Sequence, residues 1–133
     1  MKLSVIVFIV LIAAGCKHSA VAKKLSGADS LVITFNMPNS DSIIKKVTTI
    51  ENTAINKVVD FIDGKPAKEF ECGYDGNLIF FFKGQTILPV VFKYKEKDCR
   101  HFLFQLDGKV ISAKMSNEAA DFLESLEQGK FFY

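Results

Sequence analysis

Along most of this chain, apolar and polar residues alternate with a period of two, and the period lengthens to that of a helix in only two places. Residues 31–37 set Leu31, Ile33, Phe35 and Met37 against Val32, Thr34 and Asn36, which is a strand period. Pro38, Asn39 and Ser40 turn the chain. Residues 43–50 are rich in β-branched side chains, with Lys45 and Lys46 marking a solvated part, and they predict a second strand forming a hairpin with the first. From Glu51 the period changes. Ile55, Val58, Val59 and Ile62 recur at helical spacing opposite Asn56, Lys57 and Asp60. Asn52 is the expected N-cap, and Asp63-Gly64 before Pro66 is the stop.

From Lys68 the pattern predicts a meander. Phe70, Cys72 and Tyr74 alternate as a strand, and Asp75-Gly76 is a two-residue hairpin signal. Residues 78–82 are apolar on both faces, as a central strand is. Phe80-Phe81-Phe82 therefore needs cover on each side, from packed helices or from a bound partner. Lys83-Gly84-Gln85 leads into residues 86–94, where Pro89 argues for an edge or a bulge. After a charged turn at residues 95–98, residues 99–106 place Phe102, Phe104 and Leu106 on one face, and Asp107-Gly108 turns into residues 109–115. Ser116 then caps a last helix with Glu118 in its first turn, an apolar stripe at Ala119, Phe122, Leu123 and Leu126, and Gly129 past its end. The order ββα-βββββ-α implies an α+β fold: a curved, mostly antiparallel sheet of about seven strands with two helices packed on it.

The first sixteen residues follow a different logic. Met1-Lys2 is a basic start, residues 3–14 carry no charge, and Ala13-Ala14-Gly15-Cys16 closes the run. That is the order of a secretory signal peptide, and the uncharged run falls short of the roughly twenty residues of a membrane span. With cysteine at the cut, the segment resembles the bacterial lipoprotein signal, the lipobox. Ala14, Gly15 and Cys16 match its pattern, and Ala13 stands where Leu is more usual. The resemblance covers the targeting segment alone. It implies that residues 1–15 are removed and that Cys16 becomes an acylated N-terminus. It also implies a protein held by its lipid to a membrane of the bacterial envelope, on a periplasmic or outer-surface face. Three acyl chains at about 0.8 kcal/mol per buried methylene make such anchoring effectively permanent. Residues 16–28, small and polar with basic Lys17, Lys23 and Lys24, are expected to be a flexible tether, and residues 29–133 a single domain. The three lysines suit either anionic headgroups or solvent.

Composition narrows the chemistry. A formal net charge of +2 over 133 residues is too balanced for a nucleic-acid footprint, and no long basic stripe interrupts the pattern. Of thirteen Phe only Phe8 lies in the leader, so a large aromatic core is within reach. Setting Cys16 aside, Cys72 and Cys99 remain as an even pair in an exported protein, and a disulfide is expected between them. On a flat meander their strands would stand about three spacings of 4.8 Å apart, so the bridge demands a curled sheet or a different strand order.

His18 lies in the tether, which leaves His101 as the one imidazole of the domain. His101 two residues from Cys99, with Asp98 near, has the look of a thiol–imidazole pair, but an oxidised Cys99 is no nucleophile. Cys72, Cys99, His101 and Met115 include soft ligand types, yet blue copper needs two histidines, and no spacing suits zinc. No metal, cofactor or catalytic set is expected. The terminal Phe131, Phe132 and Tyr133 lie beyond the last helix stop and form a candidate binding patch, the alternative being a fold back into the core. The reading is a membrane-anchored, non-catalytic binding or accessory module with an envelope protein partner and no nucleic acid. A carrier of an apolar ligand in a Phe-rich cavity is the alternative, and an enzyme using His101 comes third.

Overall fold

A computed structural model describes residues 19–69 and 71–130. Cys16 and residues 131–133 lie outside the described residues, as do the leader and Phe70. The fold is α+β. Six strands, β1 (Ser30–Asn36), β2 (Ile43–Thr49), β3 (Gly76–Phe82), β4 (Gln85–Lys93), β5 (His101–Leu106) and β6 (Lys109–Lys114), form one open sheet in the order β2-β1-β3-β4-β5-β6. Every neighbouring pair is antiparallel. Among the described residues three helices accompany it: α1 (Ala20–Leu25), α2 (Asn52–Ile62) and α3 (Asn117–Glu127).

Register assigns the two faces. Leu31 lies opposite Phe80, Ile33 opposite Leu78, Leu78 opposite Val90, Phe92 opposite Phe102 and Phe102 opposite Ala113, so these share one face. All are buried, together with Ile55, Val58, Val59 and Ile62 of α2 and Ala119, Leu123 and Leu126 of α3. Both helical stripes therefore cover the same side of the sheet, as their periodicity requires. The α3 cap forms as expected, Ser116 Oγ accepting from Ala119 N at 3.1 Å. In α2 the cap residue is Glu51 rather than Asn52, and its side chain makes no capping hydrogen bond.

The structure departs from the sequence pattern in three further places. The first is the expected tether. Ala20–Leu25 form α1, capped by Ser19, whose Oγ accepts from Ala22 N at 3.1 Å. Val21 and Leu25, four apart, are buried against the core, so this stretch packs where free tethering was expected. The second is the expected strand at residues 68–74: the described residues of that stretch form none, and the described sheet has six strands where seven were expected. That stretch belongs to a strap, described over residues 63–69 and 71–75, running from α2 around the β6 edge and across the other face of the sheet. Its first part lies along β6: Ala67 N donates to Ser112 O at 2.9 Å, Lys114 N donates to Lys65 O at 2.7 Å, and Pro66 bridges Ala113. Ser112 Oγ then donates to Lys68 O at 2.9 Å from the face away from the helices.

The third departure is Asp75-Gly76, which is no hairpin. The two hairpin turns of two residues, Lys83-Gly84 and Asp107-Gly108, have positive φ at both residues, the mirror-image turn geometry that the twist of antiparallel strands favours. Gly76 instead begins β3, between Phe35 of β1 and Phe92 of β4. A Cβ there would collide with the Thr34 carbonyl oxygen and lie 2.6 Å from Phe92 Cζ. Glycine is demanded by this close approach of backbone and ring, since Gly76 lies outside the positive-φ set. Pro89 stands opposite Ile79 on an inner strand, near a bulge at Ile87 rather than in one. A register shift falls between Phe80 and Phe81, and β5 pairs with β4 only over residues 90–93, which leaves Pro89 without a neighbour on that side. The expected result for Gly76→Ala in denaturant melts is a loss of more than about 3 kcal/mol. Gly27→Ala, whose Cβ would meet only Phe82 Cδ2 at 3.9 Å, should stay within about 1 kcal/mol of the parent.

Candidate functional site

The strap organises the chemistry of the molecule because it draws residues distant in sequence to one end of the sheet. Cys72 and Cys99 are joined in a disulfide with Cα atoms 6.2 Å apart. The expected curvature is unnecessary. Cys72 sits on the strap and Cys99 closes a short 3-10 turn, Lys97–Cys99, so neither occupies a sheet position. In the chain-entropy account, linking residues 27 apart in sequence stabilises the fold by about 3.6 kcal/mol.

His101 lies beneath the strap. Its ring is fully buried, Nδ1 is 2.7 Å from Cys99 O, and Tyr74 of the strap packs 6.1 Å away, centroid to centroid. The thiol–imidazole pair does not form, since the Cys99 sulfur is bonded to Cys72. The side chains of Cys72, Cys99 and Glu96 converge within 4.8 Å, a spacing compatible with a metal, but the disulfide leaves no thiolate to bind one.

Where the strap enters β3, Asp75 accepts hydrogen bonds from Tyr94 N at 2.8 Å and Lys95 N at 2.9 Å, and from Lys93 Nζ at 3.2 Å. Its own main chain donates to Phe92 O at 2.7 Å and accepts from Asn36 N at 2.8 Å. Lys93 also reaches Glu96 at 3.2 Å. Burial alone would pull the Lys93 pKa down. The hydrogen bonds and negative charges of Asp75 and Glu96 outweigh it, and the net shift is upward from 10.5. Nearby, Glu127 is held above the ordinary carboxylate value by burial first and by the Asp75 charge second, with Lys45 opposing. Glu127 pairs with Lys95 at 3.1 Å, a partly exposed contact that water screens.

Two surfaces remain. The first is a groove of about 1020 Å³ between α2, the start of the strap, the 3-10 turn and the beginning of α3. Six cations line it, Lys57, Lys65, Lys68, Lys97, Arg100 and Lys114, against three carboxylates, Asp60, Asp98 and Glu118. Arg100 is fixed by bonds to Tyr94 O at 2.7 Å and Asn117 Oδ1 at 3.3 Å. Lys57 lies over the rings of Phe61 and Phe122. Lys65, Lys97 and Lys114 are exposed, and among the described residues they make no ion pair. Sequence reading missed this concentration because its lysines come from separate segments and no run of basic residues announces them.

The second surface is the β2 edge. Met37, Ile43, Ile44 and Ile50, 50 to 74 % exposed, lie on or beside β2, and they are four of the seven large apolar residues exposed among the described residues. Hairpin periodicity cannot reveal which strand ends a sheet, so the sequence held no signal for them. Phe35, Phe80, Phe92 and Phe102 are fully buried, Phe35 packing edge-on to Phe92 at 5.8 Å, while the large groove is lined by charge.

No helix among the described residues is long and apolar enough to cross a membrane. Compared with protein-family models, curated proteins and solved structures, the chain has no match.

Removing the Asp75 carboxylate leaves Lys93 with Glu96 alone and strands two backbone donors at a buried site. Asp75→Ala should therefore cost about 3–5 kcal/mol in chemical denaturation. The pH dependence follows from the upward Lys93 shift. A folded pKa above the unfolded one stabilises the fold fully below about pH 10.5, and that contribution disappears as pH rises through the folded value. Melts of the parent taken upward from pH 9 should show this alkaline loss, and Lys93→Met should abolish that part of it.

Proposed function

We propose that this protein is a lipid-anchored module of the bacterial envelope that performs no chemistry of its own and binds a partner protein through the open β2 edge of its sheet. The observation that carries the reading is the difference between the two edges. The strap closes β6 with main-chain hydrogen bonds, whereas β2 has no strand neighbour beyond β1 among the described residues and bears exposed Ile43 and Ile44. An uncovered edge with apolar side chains is a ready template for pairing, one that soluble proteins ordinarily blunt. Adding a strand to it satisfies backbone groups and covers those side chains at once.

Lys45 and Lys46 argue against a second copy as the occupant. Antiparallel self-pairing about the middle of β2 would bring like charges together across the new ladder. A different protein with an extended, carboxylate-bearing segment fits better. The anchor rests on the lipobox resemblance at Ala14-Gly15-Cys16. The aromatic residues 131–133 remain a second candidate contact.

The test is affinity capture of the lipidated protein from solubilised envelope, comparing the parent with the double variant Ile43→Lys, Ile44→Lys. Both positions are exposed, so the melting temperature should hardly move. Loss of a specific co-purifying protein with an unchanged melt is the expected result. Undiminished capture by the variant would remove the edge from the account.

A further inference from the structure

We infer that the basic groove is the membrane-facing surface of the domain, where its lysines meet anionic phospholipid headgroups while the β2 edge points away. The inference rests on the lipid-anchor reading and adds an orientation to it. Helix α1 starts at Ala20 and is packed into the core through Val21 and Leu25. Only three residue steps separate its cap, Ser19, from Cys16, a span of at most about 11 Å. A lipid at Cys16 therefore keeps the point where the chain enters the domain close to the bilayer.

That entry point adjoins the groove. Ser19 and Ala20 line a small cleft of about 160 Å³ together with Gly64 and Pro66. Gly64 and Pro66 also line the basic groove, beside Lys65 and Lys68. Lys23 and Lys24 on α1, five residues or fewer from the entry point, are also exposed. An acyl anchor combined with a polybasic patch is the pairing of signals that holds a protein against a membrane containing anionic lipid. The β2 edge stands five strand spacings from β6, about 24 Å away and beyond the screening length of roughly 10 Å at 0.1 M salt. The lipid surface is thus the occupant that charge and chain length both favour.

The experiment reconstitutes the full lipidated protein into vesicles of phosphatidylcholine alone, or with about 30 % phosphatidylglycerol. Reductive methylation of each lysine is then read by mass spectrometry. Lys57, Lys65, Lys97 and Lys114 should react at least roughly threefold more slowly on the anionic vesicles, and the protection should vanish in 1 M salt, where the screening length falls to about 3 Å. Lys46 on β2 should react equally on both. In the variant Lys65→Glu, Lys114→Glu, protection of Lys57 and Lys97 should weaken. Equal reactivity of the groove lysines on both vesicles, with Cys16 shown to be acylated in the same spectra, would overturn the orientation and leave the anchor standing. An unmodified Cys16 with the protein in the vesicle-free supernatant would overturn the anchor reading instead. Protection of Lys46 to the same degree as the groove, or groove protection by an acidic protein with no vesicles present, would also refute the inference.

Discussion

A segment that runs over a sheet without joining it must be held by something other than a ladder, and the strap from residue 63 to residue 75 is held by three different chemistries. Main-chain bonds at Lys65 and Ala67 bind its start to β6, and the Cys72–Cys99 disulfide ties its middle to the turn before β5. At its end the Asp75 carboxylate gathers two backbone N–H groups and the Lys93 ammonium. Much of the rest depends on this pinning. It buries His101, closes one sheet edge, walls the basic groove and delivers the chain to β3 beside β1. That last step gives the sheet its non-sequential order.

Asp75 is the costliest of these pins to disturb. A carboxylate and an ammonium taken out of water together offset little more than their own desolvation, so the pair adds modest net stability. Its geometry is another matter. With Gly76 excluding any Cβ and Phe92 lying over it, the strap has one place to enter the sheet. Specificity of register, more than energy, is what this cluster supplies.

Much of the architecture was legible from periodicity. The β1–β2 hairpin, α2, the Phe-rich central strand, the turns at Lys83-Gly84 and Asp107-Gly108, and α3 with its Ser116 cap all follow from local pattern. The failures share a cause. Phe70, Cys72 and Tyr74 alternate as a strand would, but Asp75-Gly76 is a strand entry set by a long-range contact with Thr34 and Phe92, and no short window contains that contact. Residues 20–25 read as tether because one and a half helical turns show no sustained period, and burial of Val21 and Leu25 against α2 and β4 is what orders them. Pairing of Cys72 with Cys99 was expected for a reason of cellular compartment. Its geometry became simple once Cys72 left the sheet. The groove and the bare edge were illegible because both are products of strand order, which periodicity does not encode.

The strap is a pinned layer that can open locally while the β1–β3 core it helped to order stays folded. Native-state hydrogen exchange on the parent and on a double variant, Cys72→Ser with Cys99→Ser, tests this most directly. Without the disulfide, residues 65–75, 112–114 on β6 and the turn at 97–101 should exchange through local opening, while the amides of β1 and β3 still exchange only through global unfolding, faster by no more than the stability the disulfide contributed. Strap amides that exchange no faster without the disulfide would contradict the account. So would a strap and a β1–β3 core that lose protection together and to the same extent.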